Sequence, residues 1–257
     1  MAIFKAIQAF FNDAGWLANA FGILLPIATF LAVCWGGIKL FGKKGRIESL
    51  YSQGFLTSWT NEKAMQIVRI AIVDDQPRDF PVSELKKSGL EIELFKQIKL
   101  SDIALVSTFD VVFLDMKGIV KDDPDYGGLK LIEELRTLNK KQRICAVSGQ
   151  TFDPTATRFF KLADEYKKKP LTASECKDVI DRFAHELFNP TQATADGKGI
   201  LRMLKRKARG DVVASMRKYI SAGKARDKET LRQEIRSCGV SESDDIVLLN
   251  LARMICA

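Results

Sequence analysis

Asp74, Asp75, Asp115, Ser148 and Lys169 are the residues of this 257-residue chain whose types and placing could do chemistry together. The two adjacent acids end the run VRIAIV, Asp115 ends VVFL, Ser148 ends RICAV, and Lys169 ends the short stretch DEYKK. Three carboxylates crowded together cannot all stay ionised without a cation, and oxygen-only ligands select a hard one, Mg²⁺ above all. A hydroxyl and an ammonium beside them suit the oxygens of a transferred phosphoryl group. With a metal offsetting charge, a carboxylate becomes a usable nucleophile toward phosphorus. Taken singly, a strand-end Asp is an ordinary solvated turn residue. Five such residues in order, each at the end of an expected strand, outweigh that bland reading.

The elements that must position them follow from periodicity. The run at 111–114 is too short for a helix and rich in β-formers, which suits a strand buried on both faces. Strands are expected at 68–75, 90–95, 111–115, 143–148 and 164–170. Between them the pattern turns helical: residues 80–89 with a glycine stop, 100–107, 127–138 with Leu129, Ile132 and Leu135 on one face, 155–163, and 174–187 with a serine cap. Five alternations of strand and helix call for an α/β fold, a parallel sheet with helices on both faces. Strand tips far apart in sequence then converge on one edge, where open α/β sheets place their chemistry.

On these residues, 67–188 resembles the CheY-like receiver domain of two-component response regulators, a flavodoxin-like fold with a five-stranded parallel sheet. The resemblance covers a little under half of the chain. It implies that Asp74 and Asp75 hold Mg²⁺, and that Asp115 is phosphorylated from a sensor histidine kinase or a phosphotransfer protein. The backbone carbonyl of Lys117 would complete the metal shell. Ser148 would be the switch hydroxyl, Lys169 the family's lysine, and Tyr166 the switch aromatic. It further implies a switch in a phosphorelay and no enzyme beyond autodephosphorylation. The chain departs from the family after Asp115, where Gly118-Ile119 stands in place of Met-Pro and an insert with Asp122, Asp123 and Asp125 delays the glycine to Gly127. The first helix is interrupted by Pro77 and Pro81. A receiver fold that serves as an interaction module without phosphorylation is the alternative.

Outside this domain, charge and hydropathy set further expectations. Residues 14–38 carry no charge, long enough for one transmembrane helix, with Trp16 and Trp35 near its ends and Lys39, Lys43, Lys44 and Arg46 following. This predicts a single-pass anchor at 1–41 in the cell membrane, N-terminus outside and bulk cytoplasmic, then a linker at 42–66. Residues 189–199 read as a second, turn-rich linker, and 200–257 as a small all-α segment. Of the net charge of +8, residues 198–236 hold 13 Lys/Arg against 4 Asp/Glu. A basic helix at 200–209 suits either contact with anionic lipid or the solvated face of a small bundle. The helix-turn-helix pattern near the C-terminus has an acidic, apolar second helix, a poor reader of base edges. A membrane-tethered DNA-binding regulator is therefore the weakest reading. The oligomeric state is open, a homodimer among the options. The five cysteines form no CxxC pair, and a single histidine, His185, excludes a histidine-rich metal site.

Overall fold

A computed structural model of the chain describes residues 46–52, 54–149, 154–225 and 227–257. Five strands form one parallel sheet: β1 (Arg69–Val73), β2 (Glu91–Phe95), β3 (Val111–Asp115), β4 (Arg143–Ser148) and β5 (Glu165–Lys168), in the order β2-β1-β3-β4-β5. That order is the flavodoxin-like one, and it reverses direction of winding between β1 and β3, the point where such sheets hold ligands. Every residue of β3 is buried. Its two faces feed separate layers, because side chains alternate along a strand.

One layer takes Val112 and Leu114 of β3 with Ala71, Val73, Ile144 and Ala146. Three helices cover it: α3 (Ile103–Val106), α4 (Gly127–Leu138) and α5 (Pro154–Leu162). On the other face, Ile70, Ile72, Val111, Phe113, Cys145 and Val147 meet Leu85 of α2 (Val82–Lys87) and Val179, Ile180 and Phe183 of α6 (Ala173–Leu187). Helix α2 is short because Pro77 starts a single 3₁₀ turn and Pro81 then sits at its N-cap. The cap of α6 is Thr172 and not Ser174: Thr172 and Glu175 exchange hydrogen bonds in a capping box, satisfying two backbone donors at once.

The second layer does not stop at the receiver-like sheet. It continues through α1 (Asn61–Ile67) into four C-terminal helices, α7 (Pro190–Met203), α8 (Arg206–Ser221), α9 (Lys228–Ser237) and α10 (Glu242–Cys256). Residues 189–199, expected as a linker, are helical. Asn189 caps the helix, Pro190 occupies the first turn, and Ala193, Ile200 and Leu201 are buried. Gly197 stands where a β-carbon would come within 2.5 Å of Ile47, so residues 46–52 pack straight onto α7. The basic helix expected at 200–209 is broken, since Leu204 and Lys205 are extended between α7 and α8. Leu204 turns toward the core, and Arg209 folds back to bond the carbonyls of Arg202 and Leu204 at 3.4 and 3.2 Å. A continuous amphipathic helix for a lipid surface is thereby ruled out at this place. Helix α10, second of the helix-turn-helix pattern, buries Leu248, Leu249, Leu251, Ala252 and Met254 among its neighbours, and its first turn carries Glu242, Asp244 and Asp245, acids that repel a phosphate backbone.

The membrane anchor also needs correcting. Its segment, 14–38, lies outside the described residues, and among those residues no helix is long and apolar enough to cross a membrane. The longest, α8, has 16 residues, against about 20 needed to span a bilayer core. Among the described residues the fold has no transmembrane helix, and the single-pass membrane location and membrane partner expected from residues 14–38 have no support there.

One buried ion pair joins the helices to the sheet. Arg253 of α10 sends both terminal nitrogens, each at 2.8 Å, to the carboxylate of Asp110 at the entry to β3. It also donates to the carbonyl of Ile67 and lies over the Phe188 ring at 5.3 Å. Asp110 accepts a further bond from the Arg69 amide at 2.8 Å. Removing one partner of a buried pair strands the other charge, which costs about 3–5 kcal/mol. Arg253→Leu and Asp110→Asn are each expected to lower unfolding free energy by about 3 kcal/mol in urea titration. The double variant should lose clearly less than the sum, since the two changes remove one interaction.

Candidate functional site

The C-terminal ends of β1, β3, β4 and β5 supply the site. Asp74 follows β1 and is fully buried; its amide bonds the Phe95 carbonyl at 2.9 Å, and its Oδ1 accepts from the Gln76 amide at 2.7 Å. Asp75, one residue on, is exposed. Asp115 closes β3, is buried, and accepts from the Met116 amide at 2.7 Å through Oδ1. Ligand oxygens of Asp74, Asp75 and Asp115 all lie within 4.8 Å of one another.

Lys169 follows β5, and its amide bonds the Ser148 carbonyl at 3.1 Å, fixing the ends of β4 and β5 together. Its ammonium reaches across the strand ends to Asp74 Oδ2 at 2.5 Å and Asp115 Oδ2 at 2.6 Å. Asp79 stands at 3.8 Å from the same nitrogen, a neighbour that no sequence pattern marked. Ser148 ends β4 and is buried; in the register Asp115 pairs with Val147, so Ser148 lies one residue beyond it on the adjacent strand. Tyr166 on β5 is 40% exposed, its ring against Phe160 with centroids 4.6 Å apart. The described contacts therefore bring together Asp74, Asp75, Asp115 and Lys169, set Ser148 alongside, and leave Tyr166 facing outward. Lys117 lies in the loop after Asp115.

That loop is built, not slack. Ile119 and Val120 are buried, and a parallel bridge pairs Val120 with Ile98. The Gly118 amide bonds the Pro124 carbonyl at 2.8 Å. Among the insert's acids, Asp123 bonds Lys130 at 2.6 Å and the Tyr126 amide at 3.1 Å, while Asp122 and Asp125 stand outside the carboxylate cluster. Gly118 turns the chain with φ +77°, and a β-carbon there would lie 2.5 Å from Asp75 Oδ2. The glycine thus lets the Asp75 carboxylate pack directly against the loop.

Burial sets the electrostatics. It pushes the Asp74 carboxyl up to about 6 against the pull of Lys169, and raises Asp115 in the same way. Burial alone would lower the Lys169 ammonium, but hydrogen bonds to Asp115 and Asp74 outweigh it and hold the group above its usual range. Asp74 Oδ2 is buried and makes no well-directed hydrogen bond, with only the ammonium to offset its charge. An all-oxygen cluster, buried except at Asp75 and short of positive charge, could coordinate a divalent cation.

No protein-family model matches the chain, and no curated protein matches it. Solved structures with partial likeness include a CheY-like response regulator receiver domain protein from Methanospirillum hungatei JF-1. It is 23% identical over 47% of this chain and 95% of that one, with a TM-score of 0.37. A two-component response regulator from Clostridium difficile is 18% identical over 47% and 98%, at 0.38. Full-length FixJ from B. japonicum is 17% identical over 69% and 83%, at 0.41. The flavodoxin-like fold follows from the strand order β2-β1-β3-β4-β5.

Two outcomes follow from the geometry. Gly118→Ala forces a left-handed backbone onto a side chain and pushes the Asp75 carboxylate aside. Divalent-cation affinity, measured by calorimetry, should fall on the order of tenfold, and stability by about 1–2 kcal/mol. The second concerns pH without divalent cation. A carboxyl raised from 3.8 to about 6 favours the folded state below 3.8, and that contribution is lost as pH rises through about 6. Wild type should match Asp74→Asn in stability near pH 4 and fall behind it by pH 7, by about 3 kcal/mol at most.

Proposed function

We propose that the chain is a receiver-type phosphorylation switch in which Asp115 accepts a phosphoryl group from a histidine kinase or a phosphotransfer protein. The observation that carries this reading is the Lys169 ammonium held at 2.5 and 2.6 Å from Asp74 and Asp115 at the tips of adjacent strands. Asp74, Asp75 and Asp115, with the Lys117 carbonyl, would hold Mg²⁺. The ion would supply positive charge against the phosphoryl oxygens. In the transfer, a carboxylate oxygen of Asp115 attacks phosphorus on the donor's phosphohistidine. The O–P bond forms as the P–N bond breaks, and the electron pair stays on the imidazole nitrogen. The Met116 amide orients the acceptor carboxylate. Lys169 offsets the charge that arrives, and the Ser148 hydroxyl bonds the new phosphoryl oxygens. Tyr166, outward beside Phe160, is the side chain free to turn toward Ser148 once that bond forms.

Receiver domains act as regulatory switches rather than classical enzymes, so the only turnover in this reading is loss of the phosphoryl group to water. We place the receiver at 67–188 and the helical output segment after it, with residues 189–199 joined to the latter through α7. Incubating the full chain with Mg²⁺ and acetyl phosphate should give one hydroxylamine-labile adduct. Asp115→Asn should abolish it, and chelating the metal should suppress it. A wild-type chain that labels no more than Asp115→Asn would sink the phosphorelay reading and leave the fold as an interaction module.

A further inference from the structure

The described chain begins at Arg46 beside the break between α7 and α8, and a cleft of about 300 Å³ opens there. Arg46, Lys198, Arg202 and Arg209 line it, against a single carboxylate, Glu48, with Leu201 in its wall. Glu48 pairs with Lys198 at 3.0 Å and also feels the charge of Arg46, so one carboxylate in the cleft faces four cations. Arg209 spends one terminal nitrogen on the carbonyls that end α7, while its Nε is buried and makes no hydrogen bond. Immediately beyond, Lys205, Arg206 and Lys207 are exposed at the start of α8. That turn contains no acid, and its N-cap residue offers no side-chain acceptor. Cations at the positive end of a helix dipole repel it, so the junction is short of negative charge on two counts.

We infer that this cleft is a binding site for a small, multiply charged phosphate anion of the di- or triphosphate class. Guanidinium forks match phosphate oxygens in pairs, which favours phosphate over halide or a single carboxylate. The volume sits at the low end of the range for small-molecule sites, and suits a short phosphate chain better than a bulky ligand. Cations from three separate places in the sequence converge on it: Arg46, Lys198 and Arg202 of α7, and Arg209 of α8. The site lies outside the carboxylate cluster and shares no residue with it.

Calorimetric titration of the full chain with tripolyphosphate tests this, at fixed ionic strength, without divalent cation, and in the Asp115→Asn background. Saturable binding is expected, weakened at least tenfold by Arg46→Gln combined with Arg202→Gln. Both side chains are exposed, and unchanged circular dichroism would show the fold intact. Equal affinity in the double variant would overturn the assignment, as would heats no larger than those of sulfate. Binding of a single-stranded oligonucleotide without any of tripolyphosphate would overturn it too, pointing to an extended polyanion surface.

Discussion

Everything at the tip of the sheet depends on one crowding of charge. Asp74 and Asp115 are removed from water by the strands that carry them, and Asp75 stands beside them. Desolvation alone would protonate buried acids of this kind. The ammonium of Lys169 keeps them serviceable, and only because β5 lies next to β4 and β4 next to β3. The strand order is therefore not a background to the site. It is the condition under which an acid from residue 74, one from 115 and a lysine from 169 can meet.

That condition explains why the convergence of Asp74, Asp75, Asp115 and Lys169 was legible in the chain itself. Strand-end positions can be located from short β-rich runs, and a parallel sheet with short crossovers leaves few ways to arrange them. The expected strands 143–148 and 111–115 and the helix 127–138 coincide with β4, β3 and α4. Less legible was whatever depends on contact across the chain. Residues 189–199 look like a linker by composition, yet they are helical because Ala193, Ile200 and Leu201 find a core to enter. Gly197 reads as a helix breaker until Ile47 is seen packed against it. Arg253 looks like one more cation at a basic C-terminus, although its partner is Asp110, 143 residues earlier. The same blindness misled the reading of 200–209. Its apolar residues repeat in a helical rhythm, but the extended backbone at Leu204 and Lys205 breaks the rhythm at its centre.

The loop after Asp115 shows how a departure from a family pattern can be absorbed. Acids inserted beside a metal site either tune its affinity or merely solvate a longer loop, and the second is the plainer reading. Ile119 and Val120 anchor the loop in the core, Asp123 caps it against Lys130, the Met116 amide bonds Asp115, and Gly118 leaves room for the Asp75 carboxylate to pack against the loop. What lengthened is the path around the site. The carboxylates that could hold a cation come from the strand tips.

Strand β3 is held by charge at both ends, by Asp115 to Lys169 on one side of the sheet and by Asp110 to Arg253 on the other. Its five residues span about 17 Å. For anyone wishing to dissect the protein, this means the sheet is not a detachable module. Cutting the chain after α6 would uncover an apolar face shared with α7 and α10, and would leave a buried aspartate facing water with its counter-ion gone. Subcloning would have to carry the last helix along, because the final turn of the chain finishes a strand laid down more than a hundred residues before.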